Sequence, residues 1–546
     1  MNIAKATRIT LPPLLLITAT AARLFAAEAY TWDGGSTTTA NWTDTANWTD
    51  DPATLASAND TAISLGGTTR TTIELDTDFT LNTLAVNSGA GAFTINSSGN
   101  GNTLSIYGKG IETDAVANNS GNLLTINAGI RLLNSTRFSA NSGPVKLGAI
   151  AIDGSENVGV YFRSIGSTRA ITLAGEISGT GSIVEFGGDI IIEKQNTYNA
   201  PSRIRNGTVL VRADKAFGTD RTVQLGLSAG NAMDIAILTE AAVAITNQIN
   251  LNTITSGGSS GTAHTYTLGG NSAHTSSFKN IQLASTATDV TLNLTAAAGG
   301  RVNITGSITD TSTGLGSIAK TGEGIVALNA TSGVTHTYKG TTQITAGTFL
   351  VNGTLAAAAA GDAVVTVATG ATLGGKGAIH RATTLAAGAT LSAGDINAAG
   401  NSETGTLAFT AGLVLDTGSH LAFDLGTSAA PSGHDHISIT GGDLTLAGTV
   451  NITALSGFGA GTYELLSFAG GVATNNGITL GGNLPAGFDY NLRWDTTANK
   501  LNLVVTSAAA IPEPACHTLI VAAIAALLIG LRIRIRLRPR THACRR

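Results

Sequence analysis

Residues 314–318 read Gly-Leu-Gly-Ser-Ile and repeat, 135 positions later, the Gly-Thr-Gly-Ser-Ile of residues 179–183. Further along, His-Thr-Tyr at 336–338 follows Asn-Thr-Tyr at 196–198 by 140 positions. The same offset of 140 relates residues 346–351 (Ala-Gly-Thr-Phe-Leu-Val) to residues 206–211 (Asn-Gly-Thr-Val-Leu-Val). The chain therefore holds two copies of one unit, near 179–212 and 314–352, with five residues inserted before Tyr338 in the second copy. Repeat architectures tolerate insertions of this kind between strands.

Each copy reads as a strand, a turn before the tyrosine, and two further strands in which Thr, Ile and Val alternate. A shorter motif, Gly-Ala-Thr-Leu, stands at 370–373 and again at 388–391. Short strands separated by Gly or Asn turns at a spacing of ~18–25 residues predict the coils of a parallel β-helix. With ~4.8 Å between coils, ~20 coils would form a rod of order 100 Å. A β-sandwich or a stack of hairpins is the alternative.

The second copy resembles the autotransporter-associated β-strand repeat, because Ile318-Ala319-Lys320-Thr321-Gly322 matches its Gly-Leu-x-Lys-x-Gly pattern. At the offset of 135, the first copy has Glu185 where this Lys stands. The resemblance implies an all-β body, which we expect to be a right-handed parallel β-helix.

The composition is that of a uniform strand-rich chain. Of 546 residues, 68 are Gly, 12% are charged and 5% are aromatic, while 42% are hydrophobic, which is enough to build a core. The net charge is −4, and Arg residues are concentrated at the C-terminus, so the middle is acidic. An acidic body argues against a nucleic-acid partner. The two cysteines, Cys516 and Cys544, both lie near the C-terminus, so we expect no disulfide in the body.

Residues 1–29 have the pattern of a secretory signal peptide. Lys5 and Arg8 precede an apolar stretch at 9–22, and Ala27-Glu28-Ala29 is a small-x-small cleavage sequence, with cutting after Ala27 as a second option. The apolar stretch is shorter than the ~20 residues that a bilayer-spanning helix needs. We therefore expect export and cleavage.

The C-terminal segment, 507–546, has three parts in a fixed order. Pro512-Glu513-Pro514 comes first, an uncharged run at 515–531 follows, and an Arg-rich end closes the chain. An uncharged run of this length predicts a transmembrane helix, and the positive end would stay in the cytoplasm. The arginines expected to act as the cytoplasmic retention signal are Arg532, Arg534, Arg536, Arg538 and Arg540.

This order resembles the PEP-CTERM sorting signal of Gram-negative envelope proteins. The resemblance implies that an exosortase-type membrane enzyme is a partner and that it cuts near Pro512-Glu513-Pro514. It also implies transient anchoring by the C-terminal helix and release toward the cell surface. A plain tail anchor is the alternative.

Three tryptophans mark the start of the body. Trp32, Trp42 and Trp48 follow one another closely, and two of them come directly after Asn. Their faces could stack on sugar rings, or they could close the first coil as a hydrophobic cap, which is the interpretation we prefer. The predicted divisions of the body are a Trp-rich capping region with the first coils at 30–110, the repeat solenoid at 111–450 and closing strands at 451–506.

One short motif has the residue types of a metal site. His434 and His436, two apart on a strand, would share a face. A turn precedes them at Ser432-Gly433, so a solvated turn is the preferred interpretation. The sequence has no His-Glu-x-x-His motif and no Gly-x-x-x-x-Gly-Lys-Thr phosphate loop. We predict no catalytic residue, no metal and no cofactor.

These features together predict an exported, non-enzymatic surface protein that serves a structural or adhesive role. Family resemblance implies a place in the extracellular matrix or biofilm, with extracellular polysaccharide as a partner. The alternative is a carbohydrate-active β-helix enzyme, which would require three or more carboxylates in one groove. A self-translocating autotransporter is a third class, and it needs a C-terminal membrane barrel.

Overall fold

The computed structural model describes residues 28–508 and 522–529, apart from gaps at 100, 109, 111–112, 154–156, 167–168, 227–233, 252–264, 284–288, 312, 329–333, 358–362, 397–399 and 429–432. The predicted signal residues 1–27, Pro512-Glu513-Pro514 and Arg532, Arg534, Arg536, Arg538 and Arg540 lie outside the described residues. Glu28 and Ala29 belong to the first coil, because Ala62 N–H donates to the Glu28 carbonyl and Ala29 pairs with Ala62.

The body is a parallel β-solenoid whose coils contribute short strands to three ladders. Neighbouring coils pair in parallel, and the length of a coil varies: Val184 pairs with Ser202 across a short coil, whereas Ala29 pairs with Ala62 across a long one. Strands this short cannot bury an apolar face alone, so each coil depends on the two beside it. The parallel β-helix predicted from the repeats is therefore observed.

Ladder 1 begins at the N-terminal end of the body, and its first run ends at residue 309. Its strands are Ala29–Trp32, Ala62–Leu65, Thr83–Val86, Val116–Asn118, Thr136–Ala140, Gly159–Ser164, Ile183–Gly187, the first half of Ser202–Val211, Val223–Leu225, Ile249–Leu251, Ile281–Gln282 and Ile308–Thr309. The Thr337 N–H donates to the Ile308 carbonyl. This hydrogen bond connects the first run of ladder 1 to a second run. That run comprises Thr335–His336, Thr354–Leu355, Ala378–Ile379, Thr406–Phe409, His436–Ile439 and Gly461–Phe468.

Ladder 2 is continuous from end to end. Its strands are Thr72–Leu75, Phe93–Ser97, Leu124–Ile126, Val145–Leu147, Ile171–Leu173, Ile190–Ile192, the second half of Ser202–Val211, Ile235–Thr239, Tyr266–Gly270, Val290–Ala296, Gly316–Thr321, Thr342–Ile344, Val365–Val367, Thr383–Leu385, Leu413–Leu415 and the first halves of Leu444–Ala454 and Ala473–Leu480.

Ladder 3 completes the coils in two runs. The first comprises Phe79–Leu81, Thr103–Ile106, Gly129–Leu132, Ile150–Ile152 and Ile177–Gly179. The second comprises Ala244–Ile245, Thr275–Phe278, Arg301–Ile304, Ile325–Leu328, Thr348–Val351, Thr372–Gly375, Thr390–Ala393, His420–Leu425 and the second halves of Leu444–Ala454 and Ala473–Leu480.

Within the described residues of the body, 28–508, a few elements depart from the parallel pattern. A short 3-10 helix lies at Thr45–Asn47, and a two-stranded antiparallel hairpin joins Asp395–Ile396 to Ser402–Glu403. At the C-terminal end, Lys500–Ser507 pairs antiparallel with both Gly461–Phe468 and Phe488–Asp495.

One continuous hydrophobic core fills the solenoid, because alternate residues of every ladder point inward. Identical side chains stack from coil to coil: Phe138 lies 5.5 Å from Phe162, and Phe162 lies 5.7 Å from Phe186, between ring centroids. At the N-terminal end, Trp32 and Trp42 both meet Trp48 edge to face. All three indoles are at most 1% exposed, so their faces are not available to a sugar.

The predicted transmembrane helix at 515–531 is wrong. The described part of that segment, 522–529, is helical, and its side chains are exposed. Among the residues that the structure describes, no helix is both long and apolar enough to cross a membrane.

Candidate functional site

The predicted solvated turn at His434-Asp435-His436 is wrong, since all three residues are buried. His434 is 2% exposed, and its two ring nitrogens lie 3.1 Å from the Thr427 carbonyl and 3.2 Å from the Glu464 carbonyl. The ring also meets Tyr463 edge to face at 5.4 Å between centroids. His434 therefore serves packing at the C-terminal end of the solenoid.

His436 lies in the same layer, with Nε2 3.5 Å from Glu464 Oε1. Burial lowers the pKa of His436, while the Glu464 carboxylate raises it, and burial is the larger effect. Lys500 holds the other Glu464 oxygen at 2.6 Å, which occupies that carboxylate. Within the described ranges, no group of three or more His, Cys, Asp or Glu side chains is placed to hold a metal ion.

Asp435, between the two histidines in the sequence, forms a hydrogen bond at the base of the hairpin at 395–403. Its Oδ1 accepts from Gly405 N–H at 2.9 Å and its Oδ2 accepts from Asp424 N–H at 2.8 Å. Gly394, at the other foot of the hairpin, lies against it, because a Cβ there would be 2.6 Å from Asp435 Oδ1. Burial raises the pKa of Asp435 to about 7, against the lowering effect of the two N–H donors. The role of this carboxyl is structural.

The candidate functional surface is a groove of about 660 Å³ on the outer side of ladder 2. Successive coils place one outward side chain each along it. The register puts these side chains in one row: Gln343, Thr366, Thr384, Val414, Thr445 and Thr474. Because neighbouring coils are ~4.8 Å apart, the row forms a regular line of short side chains along the solenoid axis.

The chemistry of the groove is that of a neutral contact surface. Its lining is mostly Thr, Ala and aliphatic residues, and Asp416 is the one acidic residue among those lining it. Val414 is 41% exposed and adds an apolar side chain to the surface of the groove. Acid–base hydrolysis of a glycosidic bond needs a pair of carboxylates, and the lining of this groove supplies one.

The sequence contains a signal for this row that motif searching did not use. Thr366 and Thr384 have the same spacing as the two Gly-Ala-Thr-Leu motifs beside them. That equal spacing places both threonines on the same face of adjacent coils. The coils on either side are longer, so the other residues of the row do not recur at an equal spacing in the sequence.

Comparison with known proteins shows a partial similarity to an adhesin. No family model matches the chain. Over 205 residues, 37% of this chain, it is 29% identical to a protein named adhesin BmaC autotransporter from Brucella suis biovar 1 (strain 1330). The match covers 6% of that adhesin, so it concerns a small part of a much longer protein. The relationship is to an autotransporter-like repeat protein.

Proposed function

We propose that this protein is a surface-exposed adhesive β-solenoid that acts by binding and not by catalysis. The observation that carries the proposal is the regular outward row of short side chains in the ladder 2 groove. The similarity to a protein named as an adhesin supports the same function. A surface or extracellular location follows from that function.

The physical basis is a rigid array of weak contacts. Each coil is held by its neighbours through backbone ladders, so the backbone that carries the outward side chains needs no ordering when a partner binds. An elongated partner lying along the row would contact five or six coils at once. Many small contacts on a preorganised surface then add up to useful affinity.

Substitutions in the ladder 2 groove test the proposed adhesive function. Purified body, residues 28–508, would be coated on beads, and attachment to cells of the same species would be counted. Thr366→Arg and Thr384→Arg place long charged side chains in the row and should reduce attachment several-fold. Thr172→Arg, on the outer face of ladder 2 in a distant coil, is the matched control. Attachment that is unchanged by both groove variants would argue against this surface.

Delivery to the surface is a separate part of the proposal. Export would use residues 1–27, and an exosortase-type membrane enzyme would process the chain at Pro512-Glu513-Pro514. The intact mass of the exported protein tests both steps. A mass that still includes the arginines after residue 531 would contradict processing, and Pro512→Ala with Pro514→Ala should block it.

A further inference from the structure

A second surface, on ladder 1 of the N-terminal half, carries charged and aromatic groups in register. Tyr161 pairs with Arg137 of the preceding coil and with Glu185 of the following coil, and Glu185 pairs with Arg203. These four outward side chains form one row, which spans roughly 14 Å at the spacing of parallel coils. We call this row, together with Arg163 and Arg205 beside it, the arginine–tyrosine face.

The ring of Tyr161 lies back against the sheet. A Cβ at Gly159, two residues earlier on the same outward face, would be 2.6 Å from the Tyr161 hydroxyl and 2.7 Å from its Cε2. Only a glycine at this position leaves room for the ring to lie along the strand. One ring face therefore rests on the sheet, and Tyr161 remains partly exposed. A flat, partly exposed aromatic ring is a surface on which the apolar face of a sugar can pack.

The guanidinium groups around this ring differ in how closely neighbouring carboxylates hold them. Asp114 accepts from Arg137 Nε at 2.6 Å, and it is itself held by Ser139 and Asn141. Glu185 lies 3.5 Å from both Arg203 and Arg205. Arg163 is exposed, and its register partners Ser139 and Gly187 carry no charge. Arg163 is therefore the side chain best placed to meet an anion.

We propose that the arginine–tyrosine face binds a linear carboxylated polysaccharide, with Tyr161 packing on a sugar ring and Arg163 and Arg205 pairing with its carboxylates. Arginine forms two parallel hydrogen bonds to a carboxylate, which suits uronate groups. This site is on ladder 1, so it does not depend on the ladder 2 groove.

The charge pattern favours this partner over nucleic acid. Four arginines share the face with two carboxylates, Asp114 and Glu185. Nucleic-acid binding relies on neutralising closely spaced phosphates, and two fixed carboxylates would oppose it. A uronate polymer carries fewer charges along its length and offers apolar sugar faces between them.

The experiment measures retardation of the body, residues 28–508, in native gels that contain polygalacturonate, dextran or single-stranded DNA. Polygalacturonate should retard it in low salt and much less in 0.5 M salt, because the contacts are ionic. Dextran should have no effect. Loss of one charge-assisted pair predicts about tenfold weaker binding for Arg163→Ala, and Tyr161→Ala should weaken binding comparably.

Arg131→Ala is the matched control, since Arg131 is exposed, paired with Asp153 and located on ladder 3. It should bind like the unmodified protein. No retardation by polygalacturonate, equal retardation by dextran, tighter binding to DNA, or an Arg163→Ala variant that binds normally would each overturn the proposal. Because cell attachment is tested with groove variants, either proposal can fail while the other stands.

Discussion

The Tyr338 hydroxyl lies 2.5 Å from Thr342 Oγ1, and both side chains are completely buried. The first repeat copy contains the same contact, with Tyr198 2.7 Å from Ser202 Oγ. In both copies the tyrosine follows the turn and its partner begins the next strand. This hydrogen bond therefore connects a corner of one coil to the strand that leaves it.

Tyr338→Phe should destabilise the body by about 1–2 kcal/mol, because Thr342 is left as a buried hydroxyl without its partner. Thr342→Val should have a similar effect. The double variant removes both polar groups, so its loss should be smaller than the sum of the single losses. Urea unfolding followed by circular dichroism measures all three. Strictly additive losses would show that the two hydroxyls do not stabilise each other.

The repeat itself was predictable from the sequence, but its register was not. An offset of 135 aligns Lys320 with Glu185. In the structure, Thr342 pairs with Ile318 and Ser202 pairs with Val184, which makes the offset in this strand 134. A shift of one residue exchanges the two faces of a strand. Glu185 is therefore an outward residue, and Lys320 occupies the inward position that Phe186 has in the first copy.

The two copies also differ in the ladder that they use. Ile183–Gly187 lies in ladder 1, whereas Gly316–Thr321 lies in ladder 2. The coils between them vary in length, and sequence similarity carries no information about how many ladders a chain has passed. Gly207 and Gly347, at the same turn of each copy, have φ of 82° and 61°, so the local geometry is conserved although its position around the solenoid is not.

Lys320→Met tests the consequence of this inward lysine. Its ammonium is fully buried and donates to the carbonyls of Thr321, Gly322 and Ala346 at 2.7–3.0 Å. Burial lowers its pKa to about 8. Methionine fills the space but leaves these carbonyls without that donor, so we expect a loss of about 2–3 kcal/mol at pH 7.

Lys279→Met, at an exposed lysine, is the control for removing a positive charge and should change stability by less than about 0.5 kcal/mol. The urea unfolding midpoints of the two variants, compared with the midpoint of the parent, measure both changes in stability. A Lys320→Met protein as stable as the parent would mean that the cost of burying the ammonium equals the benefit of its hydrogen bonds.

The candidate sites were less predictable than the fold, because they depend on which coils become neighbours. Thr366, Val414 and Thr474 are far apart in the sequence and share a row only through pairing of successive coils. His434 and His436 suggested a metal site through their spacing, but the coil that contains Glu464 and Tyr463 covers them. Residue type indicates which chemistry a side chain could perform. Packing between coils determines whether that side chain is exposed or buried.

His336 should make the body acid-sensitive. The ring is fully buried, its Nδ1 accepts from Ile308 N–H at 3.3 Å, and burial, together with Arg381, lowers its pKa to about 4. The folded state thus favours the neutral ring, and its stabilising effect is complete above pH 6.5. As pH falls from 6.5 toward 4, the unfolded chain takes up a proton that the folded chain does not, and stability declines.

A His336→Leu variant lacks this titration. The difference in unfolding free energy between parent and variant should shrink by roughly 2–3 kcal/mol between pH 6.5 and 4.5. Urea titrations at four pH values measure it. A difference that stays constant with pH would show that the ring has the same pKa in the folded and unfolded states.

Asp435 should have the opposite effect from His336 on how stability changes with pH, over an overlapping pH range. Burial raises its pKa to about 7, so between pH 4 and 7 the folded state keeps a proton that the unfolded chain has lost. Stability that comes from this group is present at low pH and falls as pH rises toward 7.

Asp435→Asn removes this titration, so the parent should lose up to about 4 kcal/mol relative to the variant from pH 4 to 7, measured by urea unfolding. The variant can accept from only one of the two backbone donors, Gly405 N–H or Asp424 N–H, because its NH₂ group cannot accept a hydrogen bond. Asp416→Asn, at an exposed groove position, is the control for replacing a carboxyl by an amide. If the parent becomes more stable than Asp435→Asn as pH rises, the two N–H donors outweigh burial and the carboxyl is ionised in the fold.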